Sequence, residues 1–318
     1  MLLGKRSAFC RGLTPVGRIL QLEGYYVWCC APVYDGAGKV HVLFSRWPEE
    51  RGFLNGWLTH SEIAHAVADS AESPFTVTGT VFQGRGPGYW DGVTVHNPAV
   101  YRIDRRYYMF YMGNSDGTAA TQRIGLAWAE EPQGPWHRLS DQRPILDISA
   151  DRRAFDSYIT TNPALLHDGG EFRLYYKAWD RYNDGKRKMG LAVSREIGGE
   201  YVKHPENPIV RFRGPGRQVE DTCVFKAGGR YYMLMRDMGV YSRRSGLLME
   251  SADGIHWGRP LIGYEKADHY FHDGNNRFER PQVLLRDGKP EYLFLAVQGG
   301  KYGTSSGGVL KIHEFGEV

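Results

Sequence analysis

At 318 residues, with 40 lysines and arginines against 36 acidic residues, the chain carries a formal charge of only +4. That balance lends no support to a nucleic-acid partner, and no apolar run approaches membrane-spanning length. Forty glycines and 13% aromatic residues suit short strands joined by tight turns, and all-β closed bodies run this long as one unit, so a single domain over 1–318 is expected.

The N-terminal MLLGKRSAFCRGL is basic but lacks a continuous apolar stretch, so no signal peptide is read. A cytoplasmic location is the expectation, or a periplasmic or secreted one if the start codon is mis-called. Beyond it, one pattern recurs five times. The copies are Cys30-Ala31-Pro32-Val33-Tyr34-Asp35, His96-Asn97-Pro98-Ala99-Val100-Tyr101, Thr161-Asn162-Pro163-Ala164-Leu165-Leu166, Glu220-Asp221-Thr222-Cys223-Val224-Phe225 and Glu279-Arg280-Pro281-Gln282-Val283-Leu284. A polar turn and an aromatic-rich run follow each copy: VHVLFSRW, YYMFYMGN, FRLYYKAW, YYMLMRDM and EYLFLAVQ. With Ala31, Asn97, Asn162, Asp221 and Arg280 as anchors, the steps are 66, 65, 59 and 59 residues. Asp35-Gly36, Asp168-Gly169, Gly228-Gly229 and Asp287-Gly288 supply hairpin turns.

A third apolar segment closes every unit, and three units add a Pro-apolar piece (Pro144–Leu146, Pro208–Val210, Pro260–Ile262) suited to an edge strand. Two strands and a turn repeating near 60 residues predict an all-β, five-bladed β-propeller. No amphipathic helix longer than two turns is predicted. The fifth unit ends after three strands, so its outer strand is expected from Val16–Leu22, which closes the ring and hides both edges. Cys10, Cys29, Cys30 and Cys223 follow no metal-ligand spacing and read as buried free thiols.

In a propeller the inner strands start at one mouth of the channel, so the anchors and the loops before them converge. They offer Trp90-Asp91, His96-Asn97, Phe155-Asp156, Asn162, Glu220-Asp221, Asp268, His269, His272, Asp273, Glu279 and Arg280. Asp91 and Asp156 each follow an aromatic residue and precede Asn-Pro-Ala by six, which marks either site residues or loop caps. Glycosidases need two carboxyl groups across one sugar ring, and crowding pushes their pKa values apart. Strand alternation favours Asp221 over Glu220 as the channel residue. Asp91 is expected to be its partner, with Glu279 next. Of Trp47, Trp90, Trp179 and Tyr158, one or two are expected to touch substrate. Arg46, Lys177 and Arg236 end second strands, and with Arg280 they either bind an acidic or sulfated sugar or pair with the aspartates. No spacing demands a metal and no cofactor is expected; a divalent cation in the channel stays open.

HNPAV, TNPAL and VEDTCVF, with their DG turns and YYMFYM-type strands, resemble the five-bladed propeller glycoside hydrolases, including families 43, 32 and 117. The resemblance spans essentially the whole chain. It implies a glycosidase acting on an oligosaccharide, with the action expected to be exo. Family 43 enzymes place an Asp base at the first anchor, a pKa-tuning Asp at the third and a Glu acid at the fourth. Here Cys30 and Ala31 fill the first and Asn162 the third, leaving Glu220 in the acid's place. Family 117 pairs an Asp with a later His acid, a pattern that Asp221 with His269 or His272 resembles loosely. Two alternatives remain: a phosphorylase resembling family 130, which holds inorganic phosphate with basic residues, and a catalytically silent sugar-binding propeller.

Overall fold

The computed structural model describes residues 4–313 and 315. Five four-stranded antiparallel sheets stand around a central channel as the blades of a propeller. The inner strands are Tyr25–Tyr34, Thr94–Ile103, Ile159–Asp168, Gln218–Ala227 and Gly274–Arg286. The aromatic-rich runs form the second strands, whose middle residues are buried on both faces because each blade packs between two neighbours. Apolar cores therefore lie between blades, such as Phe110, Leu126, Leu165 and Leu174 between the second and third.

The fifth blade is closed from the N-terminus. Leu13–Ile19 pairs with Ser305–Ile312, Leu13 opposite Ile312 and Ile19 opposite Gly307. This strand begins three residues earlier than the expected Val16–Leu22, because Pro15 still pairs, Val16 is absorbed in a bulge and Leu20 turns left-handed at φ 52°. The Pro-apolar pieces behave unevenly. Leu261–Tyr264 is the fourth blade's outer strand, but His137–Arg138 and Val202–Lys203 take that place in the second and third. Leu146 and Val210 add only single bridges there. All four cysteines are buried and unpaired.

Every inner strand carries a β-bulge at the same point. Its turning residue is left-handed: Cys29 (φ 47°), Asn97 (51°), Asn162 (50°), Asp221 (61°) and Arg280 (53°). Asn and Asp tolerate this conformation, while Cys and Arg are strained in it. The first anchor is thus Cys29, not Ala31; Ala31 matches Ala99, Ala164, Cys223 and Gln282 across the bulges. Proline misleads here. It follows the anchor directly in blades two, three and five, but in blade one Pro32 lies three residues beyond it.

Candidate active site

The bulges turn the anchor side chains toward the channel, where they form a buried polar floor. Asn97 Nδ2 donates to Asn162 Oδ1 (3.0 Å), and Asn162 Nδ2 donates to Asp221 Oδ1 (2.7 Å). The Arg280 backbone N–H donates to Asp221 Oδ2 (3.2 Å), and Arg280 Nε donates to Cys29 Sγ (3.2 Å). Arg280 is 1% exposed; its Nη1 lies 3.6 Å from Asp221 Oδ1, and neither Nη1 nor Nη2 has a hydrogen-bond partner among the described residues.

Above this floor lies a cavity of about 190 Å³. The residue before the anchor lines it in four blades: Trp28, His96, Glu220 and Glu279. Their cross-strand neighbours complete the wall. Arg236 lies opposite Glu220, Met112 opposite His96, and Lys177 opposite Thr161. The corresponding first-blade residue is Ser45, which faces Trp28. Arg46 is one residue out of phase, so alternation sends it away from the cavity, to Glu62 at 2.9 Å and over the Tyr25 ring.

Two glutamates from successive blades meet here. Arg236 Nη1 lies 2.9 Å from Glu220 Oε2 and 2.9 Å from Glu279 Oε1. Lys177 (2.5 Å) and Arg187 (3.5 Å) complete the cations around Glu220, and Arg277 (2.7 Å) adds to Glu279. Their environments pull in opposite directions. Burial opposes ionisation of Glu220, but Lys177, Arg187 and Arg236 overcome it and hold the carboxyl down at about 2. Burial, reinforced by the charges of Asp221 and Glu220, outweighs Arg236 and Arg277 and lifts Glu279 to about 7. His96 is held down at about 3 by burial and then by Arg280 and Lys177, so its ring is neutral. It sits between Trp47 and Trp57, bonded to Ser61 Oγ at 2.7 Å.

The other site residues expected from sequence lie elsewhere. Asp91 is 0% exposed and receives Arg85 Nε (2.7 Å), Arg138 Nε (2.8 Å) and the Tyr111 hydroxyl (2.8 Å). Asp156 repeats this one blade on, with Lys203 Nζ (2.7 Å) and the Tyr176 hydroxyl (2.9 Å). Both aspartates tie the second strand to the outer strand, with Trp90 and Phe155 lying on the two tyrosines. Gly125 and Gly190 make room, since a Cβ there would meet the Tyr111 and Tyr176 rings at 2.4 and 2.5 Å. The repeated aromatic-Asp signal therefore marks a device that holds blades, bonding a tyrosine and a cation rather than capping backbone N–H groups. His269 and His272 are exposed and do not line the cavity. Asp221 lies in the floor, its carboxylate spent on Asn162 and Arg280. Of the four aromatics singled out, Trp47 lines the cavity; Trp179 and Tyr158 pack edge to face at 6.1 Å outside it.

Sequence reasoning passed over Trp28, Arg187, Arg277 and the short helix Phe53–Thr59, which sets Phe53, Leu54 and Trp57 along the rim. The aromatic pair at i and i+4 was the available signal. Gly56 lets that helix settle on Trp47, whose Cδ1 a Cβ would meet at 2.2 Å. A larger cavity, about 750 Å³, opens at the opposite mouth among hairpin turns such as Asp35-Gly36 and Asp287. It holds no comparable pair of buried carboxylates, so the chemistry points to the smaller one.

A model of glycosyl hydrolases family 43 matches residues 73–235, just over half of the chain. The chain belongs to glycosyl hydrolases family 43. It is a glycosidase, acting on O-glycosyl bonds. No curated protein sequence matches this family 43 chain. Among solved structures it is similar to a BT0996 RGII complex, at 17% identity and TM-score 0.73, over 96% of this protein and 93% of that one. Zg3597, a family 117 glycoside hydrolase from the marine bacterium Zobellia galactanivorans, is similar at 15% identity and TM-score 0.71, over 98% and 90%. The RS223 β-xylosidase follows at 17% and 0.62, over 91% and 92%. These likenesses establish the shared fold.

Proposed function

We propose that the cavity above the anchor ring removes a terminal sugar from an oligosaccharide, with Glu279 as general acid and Glu220 as the permanently ionised carboxylate. The observation that carries this is Arg236, which holds both glutamates while their protonation preferences are driven apart. A pair split in this way supplies the proton donor and the anion that glycoside cleavage needs. With its value lifted to about 7, a large share of Glu279 keeps its proton at neutral pH, and the protonated form gives it to the leaving oxygen. Glu220 faces the positive charge that grows on the ring; a water molecule adds to the anomeric carbon as the bond to the leaving oxygen breaks, and its proton passes to a carboxylate or to solvent. Exo action follows from shape: about 190 Å³ above a closed floor suits one sugar unit. Trp57, half-buried at the rim, offers an apolar surface for a pyranose, while the buried Trp47 backs it. Lys177, Arg236, Arg277 and Arg280 outnumber Glu220, Glu279 and Asp221 in the wall, which favours a sugar bearing a carboxylate or sulfate. Arg280 Nη1 and Nη2, without hydrogen-bond partners, support the same reading.

Product analysis over a panel of neutral, uronic-acid and sulfated oligosaccharides, with and without inorganic phosphate, tests it. A free monosaccharide released without phosphate, and lost in Glu279→Gln and Glu220→Gln, is expected. A sugar phosphate formed only with phosphate would overturn hydrolysis in favour of phosphorolysis, in which Lys177, Arg187 and Arg236 hold the anion. Full activity in Glu279→Gln removes that residue from the acid's role.

A further inference from the structure

A third concavity, of about 760 Å³, runs along the mouth end of the third blade. The loop before the blade's inner strand, the loop between its second and third strands, and the segment after its outer strand form the walls. Six lysines and arginines face three aspartates across it. Two lysines are shared among the three aspartates: Lys203 lies 2.7 Å from Asp156, and Lys188 lies 3.4 Å from Asp180 and 2.5 Å from Asp184. The remaining cations have no such partner. Lys186 Nζ donates to the Gly214 carbonyl at 3.0 Å. Arg153, Arg211 and Arg213 are exposed, and among the described residues they form no ion pair. Exposed arginines without an ion pair also occur elsewhere among the described residues, such as Arg105, Arg195 and Arg259, but none of these lines the groove.

One residue links the positive strip to the cavity wall. Arg187, between two lysines of the groove, turns the other way to reach Glu220 at 3.5 Å and the Trp179 ring at 5.4 Å. Arg217 lies against Gly214 and Arg243 against Gly216, extending the strip toward the fourth blade. Neither has an acidic partner among the described residues. The nearby Asp237 offers no relief, because it accepts the backbone N–H groups of Gly239, Val240, Tyr241 and Ser242.

We infer that this groove seats the continuing chain of an acidic glycan whose terminal sugar enters the cavity. The inference rests on the glycosidase reading above, and it names carboxylate or sulfate groups on the chain beyond the cleaved bond as what the arginines recognise. Planar guanidinium groups bind either oxyanion through paired N–H bonds. The link through Arg187 to Glu220 in the cavity wall favours a glycan over any other polyanion.

Isothermal titration of the full-length protein with oligogalacturonate, a sulfated galactan oligosaccharide and neutral xylohexaose, at low and high salt, tests this. One or both acidic oligomers should bind at least about tenfold tighter than the neutral one, an advantage that high salt erases; which of them binds separates carboxylate from sulfate. Arg211→Ser/Arg213→Ser, on exposed positions, should weaken the acidic oligomer about tenfold while leaving kcat on a short aryl glycoside unchanged. Equal affinity for acidic and neutral oligomers overturns the proposal, as does a single-stranded oligonucleotide binding as tightly as the acidic glycan. Acidic binding without sugar release supports the groove and removes the hydrolytic reading instead.

Discussion

Glu220 and Glu279 occupy the same position in successive blades, immediately before the left-handed anchor, and differ in the company they keep. Three cations surround Glu220, whereas Glu279 lies among two arginines and two negative neighbours. The difference sets a pH signature. If Glu279 must be protonated, kcat/KM falls as pH rises through about 7, while the limb belonging to Glu220 lies near 2. Glu279→Gln should lose about 10²–10⁴-fold on substrates with poor leaving groups and far less on activated aryl glycosides. Stability follows the same group. A carboxyl raised in the folded chain contributes stability fully below its ordinary value of 4.5, and that contribution drains as pH climbs through about 7. Melting curves between pH 5 and 8 should therefore slope downward in the parent and flatten in Glu279→Gln.

At the level of elements, the Asp–Tyr–cation device explains why two successive blades carry the same loop motif. Asp91 neutralises Arg85 and Arg138 with no access to water. Removing one partner of a buried ion pair costs up to about 3–5 kcal/mol; here Arg138 loses its carboxylate, while Arg85 keeps Asp141. Asp91→Asn should accordingly lower the unfolding free energy by an amount of that order, measured by denaturant titration. Turnover per folded molecule should be preserved. A folded, inactive Asp91→Asn would return that residue to the mechanism. The short helix Phe53–Thr59 is the contrasting element: it interrupts the first blade's repeat and brings aromatic residues to the rim.

Over the whole molecule, closure depends on pairing the two ends of the chain. Leu13–Ile19 covers Ser305–Ile312, and Phe9 and Leu13 pack in the core between the fourth and fifth blades. A truncation starting at Leu20 exposes the edge of Ser305–Ile312 and should lower Tm by more than about 10 °C, since losing several kcal/mol of burial shifts a chain this long by a few degrees per kcal/mol. Calorimetry gives that shift, and size-exclusion chromatography should show edge-to-edge association. An unchanged Tm would mean that the ring closes without this strand.

The five-bladed architecture was legible because its causes are local. Turn dipeptides, aromatic second strands and a period near 60 are written along the chain, and even the closing strand followed from counting three strands in the last unit. The first anchor was misplaced by two residues because a bulge changes which way side chains point without altering composition, and Pro32 resembled the prolines that mark the other anchors. The same phase effect separates Arg46 from Lys177 and Arg236. Asp91 and Asp156 stood out as a repeated motif, but whether they face the channel or a tyrosine depends on the path of their loops. The amino-acid sequence by itself determined the blades, the closure and the supply of acids and bases near one mouth. Tertiary structure alone decided that Glu220 and Glu279 share Arg236, because strands from different blades meet there, and burial with neighbouring charge sets which of the two holds its proton.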